Sequence, residues 1–290
     1  MDRGSLSYAE AVSLIGLTDE FRCELESGSI DIGTAARFLL ANKGDPKRAA
    51  ARLRQLLEMR ATRWNWPAIC EQQVTSALDG LGITKGYWQT GGLDASGLRT
   101  GWMMQANAVP PQSLEVAQAG VAAAHRYWSA VCTDAPSLRD GITLVIVMSG
   151  VTAAGLATNR SKFAAAVGNA YQGVMPLRVR RILIVECGGA LRLAVQALAA
   201  ATLKRKERCK MEFISFDRLG ELVPPASWPL SLQAAGAIGG VHDGQVPVSG
   251  TSSWCAERNA EFARWCTSEL QRICADAAIP LSETLAALVG

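Results

Sequence analysis

Three strand-like segments separated by helical patterns constrain the fold of this chain more than any other feature. "ITLVIVM" spans Ile142–Met148, "RILIV" spans Arg181–Val185, and "KMEFISF" begins at Lys210. The first two are continuous apolar runs, which are typical of strands buried on both faces. Helical patterns near Lys162–Tyr171 and over Leu191–Leu203 separate the three segments. This alternation predicts an α/β fold with a mostly parallel sheet flanked by helices.

The beginning of the chain predicts a helical subdomain over residues 1–75. Asp45 has the chemistry of a helix N-cap, and Pro46 follows it at the first helical position, where a missing N–H costs nothing. Apolar residues recur at helical spacing from Ala49 to Trp64, and a shorter helix precedes Gly44. Several basic residues of the longer helix are expected to point away from its apolar face: Arg48, Arg52, Arg54 and Arg63.

The remainder of the chain divides into two parts by its pattern. Residues 76–245 contain a Gly-rich hairpin followed by the alternating strands and helices, and they form the predicted α/β domain. Residues 246–290 begin as a polar Gly/Ser linker and continue into a helix near Trp254–Ala277. We expect this last helix to offer a contact for a protein partner or for further domains.

Composition excludes several classes of function. The chain has 290 residues, 49% of them hydrophobic, and a formal net charge of only +3, so we expect no nucleic-acid partner. It has no apolar run long enough to span a membrane and no pattern of a signal peptide. The eight cysteines make no C-x-x-C pair and there are two histidines, so we expect no metal site. Scattered thiols without a signal peptide predict a cytoplasmic location.

Motifs for catalysis are incomplete. The turn "ECGGALRL" lacks both Gly-rich phosphate-binding patterns. Cys187 and Arg192 are separated by four residues, whereas the cysteine-phosphatase loop needs five, so Cys187 is interpreted as a small core residue. His125 and His242 have no G-x-S-x-G elbow to complete a triad. We therefore expect a protein with no catalytic residue and no cofactor other than a bound ligand. A hydrolase on the same scaffold remains a distinct hypothesis, and it predicts turnover that titrates with His125 or Cys187.

Two basic clusters flank an unusually apolar helix. The first cluster precedes and enters the second apolar run: Arg178, Arg180 and Arg181. The second closes the following helix: Lys204, Arg205, Lys206, Arg208 and Lys210. Clustered arginines and lysines are suited to phosphate groups and to anionic membranes. The helix between them carries leucine, valine and alanine all round, which predicts burial on more than one side. It is either a core helix or a lid over an apolar cavity that also touches lipid.

Three segments in this order resemble the CRAL-TRIO family of lipid-binding proteins, over roughly residues 34 to 240. "ARFLLANKGDPKRAAARLRQLLEMR" resembles the family's N-terminal helices. "GVMPLRVRRILIVECGGALRL" is similar to its F/Y-P-x-x-x-x-x-I-x-I-I-N-x-P strand and turn. "FDRLGELVPPASWPLSLQAAG" is similar to its L-L-x-x-I-P-x-x-x-L-P-x-x-x-G-G ending. The chain departs from the family at Asn42 and Leu177, where members carry an arginine and a glutamate.

The resemblance implies an enclosed apolar pocket with the sheet as its floor, a mobile gate helix and a phosphoinositide site. The implied pocket residues are Val145, Val147, Val167, Ile182 and Ile184. The implied gate residues are Leu191, Val195 and Leu198. The implied headgroup residues are Arg178, Arg180, Lys204 and Arg208. Arg178 and Arg180 share one side of a strand, and Lys204 and Arg208 share a helix face if the helix continues there.

The sequence therefore predicts a cytoplasmic protein that is not an enzyme. It would bind a hydrophobic lipid, transfer or present it at phosphoinositide-containing membranes, and contact those membranes transiently. The alternative is a lipid-responsive regulatory module of a larger signalling protein, of the tyrosine phosphatase or Rho GTPase-activating type. An open reading frame that continues into a catalytic domain would favour the module, and lipid exchange by the isolated chain would favour the carrier.

Overall fold

The fold is given by a computed structural model that describes residues 8–16, 18–30, 32–64, 87–132, 135–158, 174–229 and 232. The helices of the described residues are α1 (Tyr8–Gly16), α2 (Arg22–Glu26), α3 (Ile32–Ala41), α4 (Pro46–Thr62), α5 (Leu114–Val131), α6 (Ala135–Asp140), α7 (Ala153–Thr158), α8 (Gly189–Thr202), α9 (Arg205–Arg208) and α10 (Phe216–Leu222). The strands are β1 (Trp88–Leu93), β2 (Arg99–Met104), β3 (Ile142–Val147), β4 (Val179–Val185) and β5 (Met211–Ile214). Short 3-10 turns lie at Asp19–Phe21, Gln105–Asn107 and Pro225–Ser227.

Local chemistry accounts for the start of α4. The Asp45 side chain accepts a hydrogen bond from the Arg48 backbone N–H at 3.2 Å, and Pro46 is the first helical residue. The backbone turns just before it at Gly44, which has a φ of +70° that glycine adopts without strain. The predicted cap and the predicted end of the preceding helix are both confirmed.

The five strands form one mixed sheet in the order β1-β2-β3-β4-β5. Strands β1 and β2 pair antiparallel, whereas β2 to β5 all run parallel. The α/β architecture with a mostly parallel sheet and flanking helices is therefore as the sequence predicts. Because each parallel strand is added beside the previous one, right-handed crossovers carry the connecting helices α5, α7 and α8 to the same side of the sheet.

The two faces of the sheet have different covers. Face A is the side to which Trp102, Val145 and Leu183 point, and α10 covers it. Face B is the opposite side, to which Leu144, Ile182 and the neighbouring even-numbered residues of β4 point. The helices α5, α7 and α8 contribute side chains to the clusters on face B. The assignment to faces follows from the pairing of residues across adjacent strands, since paired residues of parallel strands point to the same side.

Face A is closed by aromatic side chains near the end of the described chain. Trp102 is fully buried, and its ring centroid lies 6.2 Å from that of Trp228. The Trp228 indole N–H donates to the Val223 carbonyl at 2.8 Å, which satisfies its polar atom in the core. A Cβ at Gly91 would lie 2.3 Å from the Trp102 indole nitrogen, so only glycine fits at that point of β1.

The β1–β2 turn is tied to the sheet through a buried carboxylate. One oxygen of Asp94 accepts the backbone N–H groups of Ser96 and Leu98 at 2.8 and 2.9 Å, which forms the turn. The other accepts the Thr143 hydroxyl at 2.6 Å. Each Asp94 oxygen thus has a partner, as burial of a charge requires. The carboxylate fixes the hairpin against the start of β3.

The N-terminal helices share a core with the sheet. One continuous cluster of buried side chains includes Phe38 of α3, Leu53 of α4, Trp128 of α5 and Ile142 of β3. The helical segment therefore packs directly against the α/β part of the chain. The boundaries at residues 75 and 245 remain predictions.

Some sequence-based predictions fall outside the described residues. They are the helices near Lys162–Tyr171 and Trp254–Ala277, the pocket residue Val167, and His242. Among the helices that the structure describes, none has both the length and the apolar composition needed to cross a membrane.

Candidate functional site

The predicted pocket residues lie on two faces of the sheet and cannot line one cavity together. Ile182 and Ile184 are on face B, in a cluster with Leu191 of α8. Val145 and Val147 are on face A, where α10 covers them. The prediction that all of these strand residues form one floor is therefore corrected. The cause is register, because Val145 is paired with Leu183, whose side chain points away from α8.

The part of face B beneath α8 is incompletely covered. Four apolar side chains there are only half-buried although each belongs to a strand of the sheet: Leu144, Ile146, Met211 and Phe213. On face A the neighbouring positions of the central strands, Val145 and Leu183, are both 0% exposed, whereas Ile214 of the edge strand β5 is half-buried. Such a difference is notable for the two sides of a largely parallel sheet, in which both faces are normally covered. Face B therefore carries apolar surface that the described helices do not fully enclose.

Helix α8 covers this surface with only one of its sides. Leu191 is 9% exposed and points to Ile182 and Ile184, whereas Val195 and Leu198 are half-buried. The prediction that α8 is buried on more than one side is wrong, because its other side is exposed. Gly188 and Gly189 begin the helix without a side-chain cap, and Leu203 ends it in an extended conformation.

The exposed side of α8 remains apolar. Leu193 is 69% exposed, and Ala190, Ala197, Ala200 and Ala201 are exposed with it. Leu193 lies three residues after Ala190 and four before Ala197, and Ala200 and Ala201 follow Ala197 by three and four, so all five lie on one stripe of the helix. Arg192 on the same helix lies over the Phe213 ring at 4.7 Å from its centroid. The sequence pattern did not single out Leu193, because helical spacing alone does not tell which of two apolar sides is covered.

The two basic clusters meet at one edge of the sheet. Strands β4 and β5 are parallel, so they begin at the same edge, and α9 directly precedes β5. The Ile182 N–H donates to the Lys210 carbonyl at 2.9 Å, which joins the second cluster to β4. We call this edge, with Arg178, Arg180, Lys204 and Arg208, the basic edge. Its four residues are not one helix face, because α8 ends at Thr202 and Lys204 is extended.

The four residues of the basic edge differ in their contacts. Arg208 donates from Nη1 to the Ala200 carbonyl at 3.0 Å and so satisfies the end of α8. Arg178 donates from Nη1 to the Arg139 carbonyl, and its own carbonyl accepts the Ile142 N–H. Arg180 and Lys204 are exposed, and among the described residues their side chains have no hydrogen-bond or ion-pair partner. These two are therefore the most available for an external anion.

The backbone at Arg178 is held in a fixed position. Gly141 has a φ of +99°, and a Cβ there would lie 2.8 Å from the Arg178 carbonyl oxygen. The close approach of these two backbone segments therefore requires glycine at position 141. Arg181, one residue further than Arg180, points to the other face and forms an ion pair with Glu212 at 3.0 Å.

Arg52 joins this region although its sequence pattern placed it away from the packed face of α4. Its Nη2 donates to the carbonyls of Met175 and Leu177, at 3.0 Å in the second case, and so holds the segment that leads into β4. The pKa of Arg52 is lowered to about 10, chiefly by burial and then by the positive charge of Arg178, while Glu207 acts in the opposite direction. The sequence showed Arg52 only as a basic residue within a predicted helix, and nothing in that pattern indicated its contacts with Met175 and Leu177.

The candidate nucleophile Cys187 is a core residue. It is buried with Met148 and Leu191 in the cluster on face B, and burial raises the pKa of its thiol. Glu186 before it has a φ of +55°, and its carboxylate accepts the Phe216 N–H at 3.0 Å, which links the ends of β4 and β5. No group of three or more metal-binding side chains is found within the described ranges.

His125 lies near two cationic side chains, which gives a testable pH dependence. Burial lowers its pKa to about 3, with the positive charges of Arg60 and Arg37 acting in the same direction. In the unfolded chain a histidine titrates near pH 6.5. Below that pH the histidine of the unfolded chain binds a proton, whereas His125 of the folded protein stays neutral. This group therefore lowers the free energy of unfolding by about 1.4 kcal/mol for each pH unit of acidification.

We therefore expect the unfolding free energy to fall more steeply between pH 6.5 and pH 4.5 in the wild type than in His125→Gln, since about pH 6.5 is the unfolded titration point. Urea unfolding at a series of pH values measures both slopes, and the carboxylates and His242 contribute equally to the two proteins. Parallel curves would show that His125 is not buried in its neutral form.

The chain was also compared with known proteins. It matches no family model and no curated sequence. The chemistry of the candidate site therefore rests on the residues of face B, α8 and the basic edge.

Proposed function

We propose that the protein binds a hydrophobic lipid between face B and α8, and that it presents or transfers this lipid at membranes that contain phosphoinositides. It would be a cytoplasmic, non-catalytic member of the CRAL-TRIO family that contacts membranes transiently. The observation that carries the proposal is the incompletely covered apolar surface of face B beneath a helix whose outer side is also apolar.

The apolar surface supports lipid binding on energetic grounds. Each Å² of apolar surface removed from water contributes about 25 cal/mol, so half-buried aliphatic strand residues favour an apolar ligand that covers them. Leu144, Ile146 and Phe213 provide such surface, with Leu191 and Val195 of α8 above it. Apolar walls constrain the shape of a ligand more than its chemistry, so the proposal names a class of ligand.

The outer side of α8 supports contact with a membrane. Leu193 and the exposed alanines offer an apolar stripe, and the basic edge lies where α8 ends. A basic side chain near an anionic leaflet contributes about 1 kcal/mol, and an apolar stripe adds partition into the acyl boundary. In this proposal α8 covers the lipid in solution and meets the bilayer when the lipid is exchanged.

Lipid exchange tests the proposal directly. The purified chain should carry about one lipid per protein, detected by mass spectrometry of the extracted ligand. It should also move that lipid between donor and acceptor vesicles, faster when the acceptor contains phosphoinositides. A folded protein that carries no lipid, and that shows no saturable binding across a broad lipid panel, would contradict the proposal. Lipid binding without exchange would favour the regulatory module.

Filling the proposed pocket should weaken ligand binding. Ile146→Trp and Ile182→Trp add an indole on face B, and we expect each to lower lipid affinity at least tenfold, measured by displacement of a fluorescent fatty acid. Ile146 is half-buried, so its replacement should cost less stability than the roughly 1–3 kcal/mol typical of overpacking a closed core.

Leu93→Trp is the matched control for this prediction. Leu93 is 47% exposed on the edge strand β1, so the same ring is added away from α8. This variant should bind lipid like the wild type. Normal binding by Ile146→Trp and Ile182→Trp, with both proteins folded, would place the ligand elsewhere.

A further inference from the structure

The outer side of α8 is an exposed apolar surface in the part of the chain that the structure describes. Leu193, at 69% exposed, is the most exposed large apolar side chain there. The alanines beside it make the surface shallow, so a second helix can approach closely and fill it with larger side chains. An exposed apolar stripe of this kind is suited to pack against another apolar surface.

The segment Trp254–Ala277 carries a complementary pattern. It lies outside the described residues, and its helix is a prediction from the sequence. Its apolar side contains Phe262, Cys266, Leu270 and Ile273, which follow one another at intervals of four, four and three residues. These intervals place the four side chains on one side of a helix, as a packing surface requires.

The outer side of α8 has the same intervals in the opposite direction of the chain. The series there is Ala201, Ala197, Leu193 and Ala190. An antiparallel pair of helices would therefore bring Leu270 opposite Leu193 and the other large side chains of the segment opposite alanines. Both series span 12 residues, which is about 18 Å of helix. The two surfaces match in length as well as in spacing.

The chain between the two surfaces is long enough to bring them together. Leu232, the last described residue, packs in the cluster on face A, whereas α8 packs on face B. Residues 233–253 connect Leu232 to the segment, and five of these 21 residues are glycine. A chain of that length spans about 25 Å as a flexible coil and at most about 70 Å when extended. It can therefore pass an edge of the sheet from face A to the outer side of α8.

The charges at the two ends of α8 favour the antiparallel direction. The exposed basic residues 204–206 follow the end of α8, whereas the exposed Glu186 lies just before its beginning. The predicted helix of the segment begins with two carboxylates, Glu257 and Glu261, and one arginine, Arg258. Antiparallel packing brings this acidic end to the basic residues, and parallel packing would bring it toward Glu186. Opposite charges that meet at a surface fix the direction of docking.

We infer that residues 254–277 bind the outer side of α8 as an antiparallel amphipathic helix, and that this autoinhibitory contact competes with membranes for Leu193. The docking itself stands on α8 and on the pattern of the segment, whereas the competition rests on the proposed function. Because a membrane must displace the segment, the docking is weak. Its loss therefore leaves the stability of the sheet nearly unchanged.

Disulfide capture tests the docking without any lipid. Ala197→Cys places a thiol opposite Cys266 in the antiparallel register, and copper-catalysed oxidation by air joins thiols that approach closely. The control is Gln196→Cys, at an exposed position that points to another side of α8. Peptide mass spectrometry of the full chain should find the bond to Cys266 in about fivefold or higher yield in Ala197→Cys than in the control.

The other results of this experiment contradict the docking. Equal yields in the two variants, or no bond to Cys266 in either, overturn it. A bond that joins the introduced thiol to Cys266 of a second chain, seen as a covalent dimer, would make a second copy the occupant and would also overturn it. Both substituted positions are exposed, so both variants should fold.

Vesicle binding tests the competition. Replacing Phe262 and Leu270 together with glutamate removes the apolar side of the segment and frees the outer side of α8. The control adds the same two charges on the opposite side of the predicted helix, by Ala260→Glu with Gln271→Glu. The first double variant should bind phosphoinositide vesicles about fivefold or more tightly than the control.

The two experiments together separate the docking from the proposed function. Equal vesicle binding by the two double variants would overturn the competition, and capture of Cys266 by Ala197→Cys would then still support the docked segment. The same capture in a protein that carries no lipid would retain the docking while the lipid carrier fails.

Discussion

Replacing Leu191 with aspartate is expected to lower the free energy of unfolding by about 3 kcal/mol or more, whereas the same change at Leu193 should leave it nearly unchanged. Leu191 is 9% exposed in the cluster on face B, and Leu193 is 69% exposed on the same helix. Truncating a buried leucine costs about 2–5 kcal/mol, and aspartate adds a charge that finds no partner there.

The position of the two residues in α8 makes them a close comparison. Both lie near the beginning of the helix, where an aspartate interacts favourably with the helix dipole by about 0.3–1 kcal/mol. That gain falls off beyond the first turn, so it is smaller at Leu193, and at either position it is too small to offset the loss expected at Leu191. Thermal and urea unfolding of the two proteins measure the difference directly.

The same two variants distinguish two roles of α8, covering the proposed pocket and contacting the membrane. Leu193→Asp should remain folded and retain its lipid, but it should bind vesicles more weakly and exchange lipid more slowly, since a charge entering the bilayer is costly. Normal lipid exchange by Leu193→Asp would show that the outer side of α8 does not contact the membrane. A Leu191→Asp protein of wild-type stability would show that α8 does not pack on face B.

The two central strands β3 and β4 are predictable from sequence because their apolar runs are nearly continuous. The runs in β3 and β4 contain valine, leucine and isoleucine with few interruptions, which few structures other than a central parallel strand accommodate. The N-cap at Asp45 is equally local, since its partner is three residues away. Both predictions depend on neighbours in the chain alone.

The assignment of residues to faces was not predictable for the same reason. In a strand that is apolar at every position, alternation gives no sign of which side is which. Val145 and Ile182 both looked like floor residues, and only the pairing of β3 with β4 places them on opposite sides. The exposure of Leu193 likewise depends on which side of α8 meets the sheet.

Arg52 shows how long-range contacts escape a local pattern. Helical spacing correctly places it off the apolar face of α4 that contains Leu53 and Leu56. Its partners are the carbonyls of Met175 and Leu177, more than a hundred residues further along the chain. Arg208 is similar, since its contact with the Ala200 carbonyl at the end of α8 was not predicted, while its role at a headgroup stays a prediction.

Reversing both Arg180 and Lys204 to glutamate should weaken binding to phosphoinositide vesicles by about thirtyfold or more, since each basic residue near an anionic surface contributes about 1 kcal/mol. These two residues are preferred because they are exposed and hold no other element in place. Reversal at Arg178 or Arg208 would also disturb the Arg139 or Ala200 carbonyl. Co-sedimentation with vesicles of defined composition measures the effect, and binding to neutral vesicles should change little.

A matched control uses two exposed lysines that are not part of the basic edge. Lys43, in the turn after α3, and Lys47, in the first turn of α4, give the same change in net charge when both are replaced by glutamate. Arg181 is unsuitable, because its reversal would place a carboxylate beside Glu212. The wild-type interaction should also weaken with salt, since exposed charges are screened over about 8 Å at physiological ionic strength. Equal losses in the two double variants would mean a diffuse attraction to net charge, whereas a loss confined to Arg180 and Lys204 requires a phosphate site at the beginning of β4 and β5.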